Sequence, residues 1–499
     1  MKKRWISLLL ACVMLLSTAA LTGCSQGKTS GKRDNVVIGL SSDMTTFNPL
    51  NSATRSDDTV ICQIYDQLYF YDDERNEIPR LAEKYDISED GLTYTFYLKK
   101  GVKFQNGEEL KASDVVFTIE AARNSSFASG YVEQIDTATA TDDYTVAMKL
   151  KGPYAPFFEQ ICYLYILNEK AVTEAGDNYE MNPVGTGSYK LVSYEAGNKV
   201  ELTRYDDCWK GAADIKDVTF RILTDSNTSD VSLENGDLDF AEISESYVAT
   251  AKASDKLTVA NVLEGSVTYA FMNTEVAPFD NKLVRQAINY AVDRDFIVKS
   301  ATEGLATPAS IMISPNMFGY PKDTIQYEHN PEKARQLLEQ AGVELPLNIG
   351  KLRCYDGYYK TIAEVMVEDL KEVGIIAEIE MVEKNTFLEN AFDGQYGIGI
   401  MAFIYGGDAD ACASTYTTDG YFNMARWYNA DIDAKFEQAK NLTDSSKRMA
   451  LYKEIFDTVQ DEALYVPFLY RNLYYGWNSN LTVDDVDQAG VLVCDMHWK

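Results

Sequence analysis

Asp408 and Asp410 stand one residue apart in Phe403-Ile404-Tyr405-Gly406-Gly407-Asp408-Ala409-Asp410, a stretch whose paired glycines read as a loop. Two neighbouring carboxylates are the minimum equipment of a hydrolase that works by general acid and base. The pairing is unspecific, because 76 of the 499 residues are acidic. Other catalytic equipment is thin. His329 and His497 are the only histidines, too few for a His-based catalytic or metal site. The sequence holds no Gly-x-Ser-x-Gly elbow, no His-Glu-x-x-His pair and no Gly-rich phosphate loop. Cysteines at 62, 162, 208, 354, 412 and 494 are widely scattered and form no C-x-x-C, which argues against zinc and thioredoxin-like sites. Disulfides stay open, with no pairing indicated. The expectation is a chain that is not an enzyme and needs no cofactor.

Residues suited to binding are easier to find. Arg353 and Lys360 flank the aromatic run Tyr355-Asp356-Gly357-Tyr358-Tyr359. Trp427 lies in Asn423-Met424-Ala425-Arg426-Trp427-Tyr428, where its ring suits stacking on a side chain or a sugar, or equally core packing. The 33 tyrosines suit sugars in the same way, but most occupy alternating strand positions that half-burial explains.

The N-terminus says where such a protein works. Lys2, Lys3 and Arg4 precede an apolar run from Trp5 through Leu16, shorter than the ~20 residues of a membrane span. The run closes on Leu21-Thr22-Gly23-Cys24, which resembles a bacterial lipobox. That resemblance implies a lipoprotein signal peptide over 1–23, lipid on the Cys24 sulfur and a tether over 24–33, rich in Ser, Gly, Gln, Lys and Thr. The chain is then anchored on the extracytoplasmic face of a cell membrane, and no later apolar stretch reaches membrane length. A net charge of −30 disfavours nucleic acid and anionic membrane surfaces.

The elements that must position these side chains follow from periodicity. Val36 to Leu40 read as a buried strand. Leu92, Tyr94, Phe96 and Leu98 alternate with polar partners, as do Tyr144, Val146, Met148 and Leu150. Val200 with Leu202, and Val218, Phe220 and Ile222, add strands. After about residue 270 helices take over. Leu283, Val284, Ala287, Ile288, Ala291 and Val292 form an apolar stripe capped by Asp280. Asn330-Pro331 opens another helix that stops at Gly342, and Ile362 to Val373 a third that stops at Gly374. Ala377, Ile379 and Met381 then give a strand, so this part is α/β.

Several segments in order resemble the solute-binding proteins of peptide-type ABC importers, the dipeptide- and oligopeptide-binding family. They include Ser88-Glu89-Asp90-Gly91-Leu92-Thr93-Tyr94-Thr95-Phe96, Gly101-Val102-Lys103-Phe104-Gln105-Asn106-Gly107 and Ala112-Ser113-Asp114-Val115-Val116-Phe117. Asn182-Pro183-Val184-Gly185-Thr186-Gly187-Ser188-Tyr189 and Val284-Arg285-Gln286-Ala287-Ile288-Asn289-Tyr290-Ala291-Val292-Asp293-Arg294 extend the match over nearly the whole mature chain.

The resemblance implies a two-lobed α/β fold of periplasmic-binding-protein type II, a hinged trap with an extra subdomain inserted in lobe I. On that plan lobe I is 34–55, 184–266 and 475–499, the insert 56–183 and lobe II 267–474. It implies that Asp408, with Asp410 behind it, takes a peptide's α-ammonium. Lys360, with Arg353 nearby, would take the α-carboxylate. Trp427 would lie beside the pocket, and Phe47 and Asn48 would line the cleft from lobe I. The expected role is a lipid-anchored monomer that captures short peptides and hands them to an ABC permease. An oligosaccharide or another small nutrient is the alternative ligand, and a secreted hydrolase the remote alternative.

Overall fold

The structure, a computed structural model, describes residues 33–71, 76–487 and 490–499. The leader, Cys24 and the tether up to residue 32 lie outside the described residues. Arg33, expected in the tether, is instead seated on the body. It makes a two-pronged pair with the buried Asp239 and stacks 4.2 Å over Trp498.

Two long strands organise everything else. Leu257–Met272 and Tyr465–Asn478 run antiparallel from the pair Leu257↔Asn478 to Phe271↔Tyr465. At the Asn478 end, Phe240–Glu242 continues the sheet, followed in order by Asn35–Leu40, Asp217–Ile222, Lys199–Arg204 and Tyr189–Glu195. At the Phe271 end, Ile398–Ile404 pairs with the first long strand, followed by Leu347–Cys354 and Ile375–Met381. The molecule therefore has two lobes that share the two crossing strands. Between Leu263 and Val267 the register slips, and Gly265 there takes φ +72, which suits glycine. A bulge of this kind bends a strand, and here it sits where one lobe gives way to the other.

Lobe II is a three-layer sandwich, and the crossing strand shows why. Tyr269 and Phe271 point into a cluster with Phe387, Ile455 and Phe456. Ala270 and Met272, on the opposite face, join Ile288, Leu338 and Met366. Both faces are covered by helices, so successive strand residues are all apolar, as a doubly covered sheet requires. The helix expected behind Asp280 is present as Lys282–Ala291, but its cap is Asn281, whose side chain accepts from Leu283 N at 3.0 Å. The strand Ile375–Met381 forms at the sheet edge, which leaves Met381 exposed rather than packed.

A separate four-stranded sheet (Ala82–Ile87, Thr93–Leu98, Thr145–Leu150, Ile135–Asp142) lies within residues 82–150. Tyr94, Phe96 and Leu98 are buried in one core with lobe I residues such as Ile38 and Phe220. Gly187 seals the junction. Its N–H donates to Ile64 O at 2.8 Å, and a Cβ there would stand 2.5 Å from the Ile64 carbonyl carbon. The six cysteines among the described residues form no disulfide with one another. No helix of the described residues is long and apolar enough to cross a membrane.

Candidate functional site

Parallel strands in both lobes end at the seam. Leu40, Ile222 and Glu242 close strands of lobe I, and Cys354, Met381 and Ile404 close strands of lobe II. Loops after such strand ends are where α/β sheets bind ligands. Ile404 pairs with Ser266 beside the bulge and is 59% exposed, an apolar surface at the edge of the cleft.

The floor of this cleft carries both signs of charge. Glu264, on the bulge, is 6% exposed and accepts from Arg55 Nη2 at 3.0 Å and from Ser266 Oγ at 2.9 Å. Arg55 also reaches Glu242 at 3.3 Å. Burial works against the Arg55 charge, yet Glu242 and Glu264 more than offset it, and its pKa is raised. Arg471, on the second crossing strand, lies 3.6 Å from Glu264 and 3.7 Å from Glu245. Its pKa is raised too: burial opposes the charge, and Glu264 and Glu245 outweigh it. A cavity of about 510 Å³ opens here, lined from lobe I by Glu242, Ser244 and Glu245, from lobe II by Glu303 and Tyr358, and from the crossing strand by Arg471. Tyr358 is fixed by a 2.9 Å bond between its hydroxyl and that of Thr268.

The residues singled out from sequence are placed differently. Asp408 is 8% exposed. Arg448 donates to both of its oxygens (Nη2 to Oδ1 at 2.7 Å), and Tyr452 and the Asp410 N–H also donate to Oδ1. The Asp408 charge is thus engaged by Arg448, with three donors on Oδ1 and one on Oδ2. Asp410 sits behind it with Oδ1 buried and unbonded among the described residues. Burial, then the neighbouring Asp408 charge, push its carboxyl up to about 6. Arg353 is engaged by Glu380 at 2.8 Å and lies 4.4 Å over Tyr396. Lys360 is exposed on its helix, with Glu364 at 3.8 Å.

Phe47 is fully buried, edge-on to Tyr194 at 5.5 Å, a core residue rather than a cleft lining. Asn48 caps the turn Pro49–Asn51 and donates to Glu180 at 3.0 Å. Trp427 packs part-buried on the lobe II core, its carbonyl held by Asn423 Nδ2 at 2.9 Å. None of these reaches the floor built by Arg55, Glu242, Glu245, Glu264 and Arg471. Sequence reasoning passed over that set. Its trace in the sequence is a charged residue, Glu264 or Arg471, within each of two long strand runs.

A two-lobed α/β body with a charged cleft at a two-strand hinge defines a ligand-binding protein of the hinged-trap class. Comparison with known proteins narrows this. Residues 76–425 match the bacterial extracellular solute-binding proteins, family 5, and the chain belongs to that family. It is 29% identical over 453 residues to the glutathione-binding protein GsiB of Pectobacterium atrosepticum, covering 87% of this chain and 88% of that one. It is 29% identical over 427 residues to the dipeptide-binding protein of Escherichia coli, covering 77% and 79%. The solved structure of the ABC transporter substrate-binding protein CtaP of Listeria monocytogenes superposes with a TM-score of 0.84 at 26% identity, over 94% of this chain and 100% of that one. The oligopeptide-binding protein AppA of Bacillus subtilis, solved with a nonapeptide, gives 0.71 at 25% identity, over 94% and 100%. These are binding proteins, not enzymes.

Proposed function

We propose that this chain is the receptor of an ABC importer, held to the membrane by lipid on Cys24, that captures short peptides outside the cell and delivers them to the permease. The observation that carries this is the cleft floor. Carboxylates and guanidinium groups meet at the hinge strands, in a cavity walled by both lobes. A ligand that binds there touches both lobes at once and so favours their apposition, which is the differential affinity a trap requires. Relatives named for dipeptides, glutathione and oligopeptides support a peptide as that ligand. The lobe and insert boundaries expected from sequence are part of this reading.

Thermal denaturation of residues 25–499 against free-ended di- to pentapeptides and a matched set of oligosaccharides tests it. Peptide at a thousand times its Kd adds ~4 kcal/mol of stability, an easily measured rise in Tm. A rise with sugars alone would overturn the ligand assignment. For the anchor, Cys24→Ala in the full-length chain is expected to move the protein from the membrane fraction to the medium or periplasm.

A further inference from the structure

The Arg471 guanidinium, 38% exposed, borders the cavity. Arginine carries five N–H donors in a planar fork. Among the described residues Arg471 uses none of them in a hydrogen bond, and its two carboxylate neighbours stand off at 3.6 and 3.7 Å. Glu264 is already bonded to Arg55 and Ser266, so it holds Arg471 by charge and leaves the fork free. Glu245 is different. Its carboxylate is about half exposed, it sits on the first turn of the helix Glu245–Lys252, and Arg471 is its ion-pair partner. Both groups border the same cavity.

We propose that Arg471 and Glu245 together read an α-amino-acid head group, an ammonium and a carboxylate borne on one carbon, as a γ-linked peptide presents. This rests on the peptide-receptor reading and narrows it to a class of peptide. The ligand carboxylate takes the fork in two-pronged fashion, and the ammonium takes the Glu245 carboxylate thus released. Charge balance favours a zwitterionic head. The floor holds Glu242, Glu245 and Glu264 against Arg55 and Arg471. A lone anionic end would add to that excess of carboxylate, and a lone cationic end would leave Arg471 without a partner. Spacing favours a compact head. The two protein charges lie within 3.7 Å, so a ligand whose opposite charges share a carbon enters with little displacement, whereas the separated ends of an α-linked peptide would have to force the pair apart.

The test uses two isomers of one composition and charge, γ-Glu-Gly and α-Glu-Gly, titrated calorimetrically into residues 25–499. The γ isomer is expected to bind at least tenfold tighter. In Arg471→Gln that preference is expected to fall to within about twofold. Glu245→Gln, at an exposed position, is expected to do the same, which guards against a folding defect in the first variant. Equal binding of the isomers, tighter binding of the α isomer, or an undiminished preference in both variants would overturn the assignment while leaving a peptide receptor in place. Failure of these and every other peptide in the panel to bind the unmutated protein would overturn both.

Discussion

Asp408 and Arg448 form a buried ion pair in which Arg448 donates to both carboxylate oxygens, 40 residues apart in the chain. The pair ties the loop after Ile398–Ile404 to the helix Ser445–Glu462, and Tyr452 completes it. The loop carboxylate is thus a structural strut of lobe II. Removing one member of such a pair strands the other charge in low dielectric, at a cost of about 3–5 kcal/mol. Asp408→Ala is therefore expected to lower stability by that order in urea unfolding. Unchanged stability with lost ligand affinity would return Asp408 to the binding role read from sequence.

Asp410 should give the protein a distinctive pH profile. Its carboxyl is pushed up to about 6 by burial and by Asp408, with Glu437 adding to the rise and Arg448 and Lys440 opposing it. Burial first, and then the charges of Asp408 and Asp410, push the Tyr154 and Tyr452 hydroxyls up as well. An unfolded aspartate titrates near ~3.9. Between that value and about 6 the folded state keeps a proton that the unfolded state releases. Stability from this group is therefore full in acid, declines as pH rises through that window and stays lower above it, by about 3 kcal/mol. Asp410→Asn is expected to raise Tm at pH 7.5 and leave it unchanged at pH 4. Equal shifts at both pH values would remove the titration argument.

What could be read in the chain was what depends on neighbours in sequence. Asn330 caps its helix by accepting from Lys333 N, Pro331 opens it and Gly342 ends it in the left-handed region, all within a dozen residues. Tyr94, Phe96 and Leu98 announced a half-buried strand by alternation alone. The charged cleft was not legible in this way. A loop aspartate looks the same whether its partner is a ligand or an arginine 40 positions away, and Phe47 in a turn-rich segment looks the same lining a cleft or filling a core. Arg471 and Glu245 lie 226 residues apart and meet only because the crossing strands bring the lobes together. Their spacing carries no local signature.

The junction between lobe I and the four-stranded subdomain depends on an absent side chain. Gly185 and Gly187 lie against the end of the helix Arg55–Ile64, where a Cβ would stand 2.0 Å from Ile64 O and 2.5 Å from its carbonyl carbon, respectively. Both obstacles are backbone, which cannot rotate away. Gly187→Ala must displace that helix end and weaken the bond from its N–H to Ile64 O. The expected loss is about 3 kcal/mol or more, in the range of severe overpacking. A loss below 1 kcal/mol would show that the junction yields easily.

A last prediction concerns how firmly the lobes are held together. Tyr474, whose backbone carbonyl accepts from Ile243 N of lobe I, donates its hydroxyl to Leu305 O of lobe II at 2.7 Å. Elsewhere Ala155 N, just beyond the four-stranded sheet, donates to Lys440 O of lobe II at 2.7 Å. Each is one hydrogen bond, with a net worth of about 0.5–1.5 kcal/mol. Tyr474→Phe removes the first without stranding its acceptor, since Leu305 O keeps the Asn472 Nδ2 bond at 2.8 Å. The lobes' own cores are untouched, so Tm should fall only slightly. The effect belongs instead in the equilibrium between apposed and separated lobes, which the lost bond shifts by up to about tenfold. Ligand dissociation measured by stopped flow should quicken by a similar factor. An unchanged dissociation rate would mean that the Tyr474–Leu305 contact persists when the lobes part, and that the hinge lies on the far side of it.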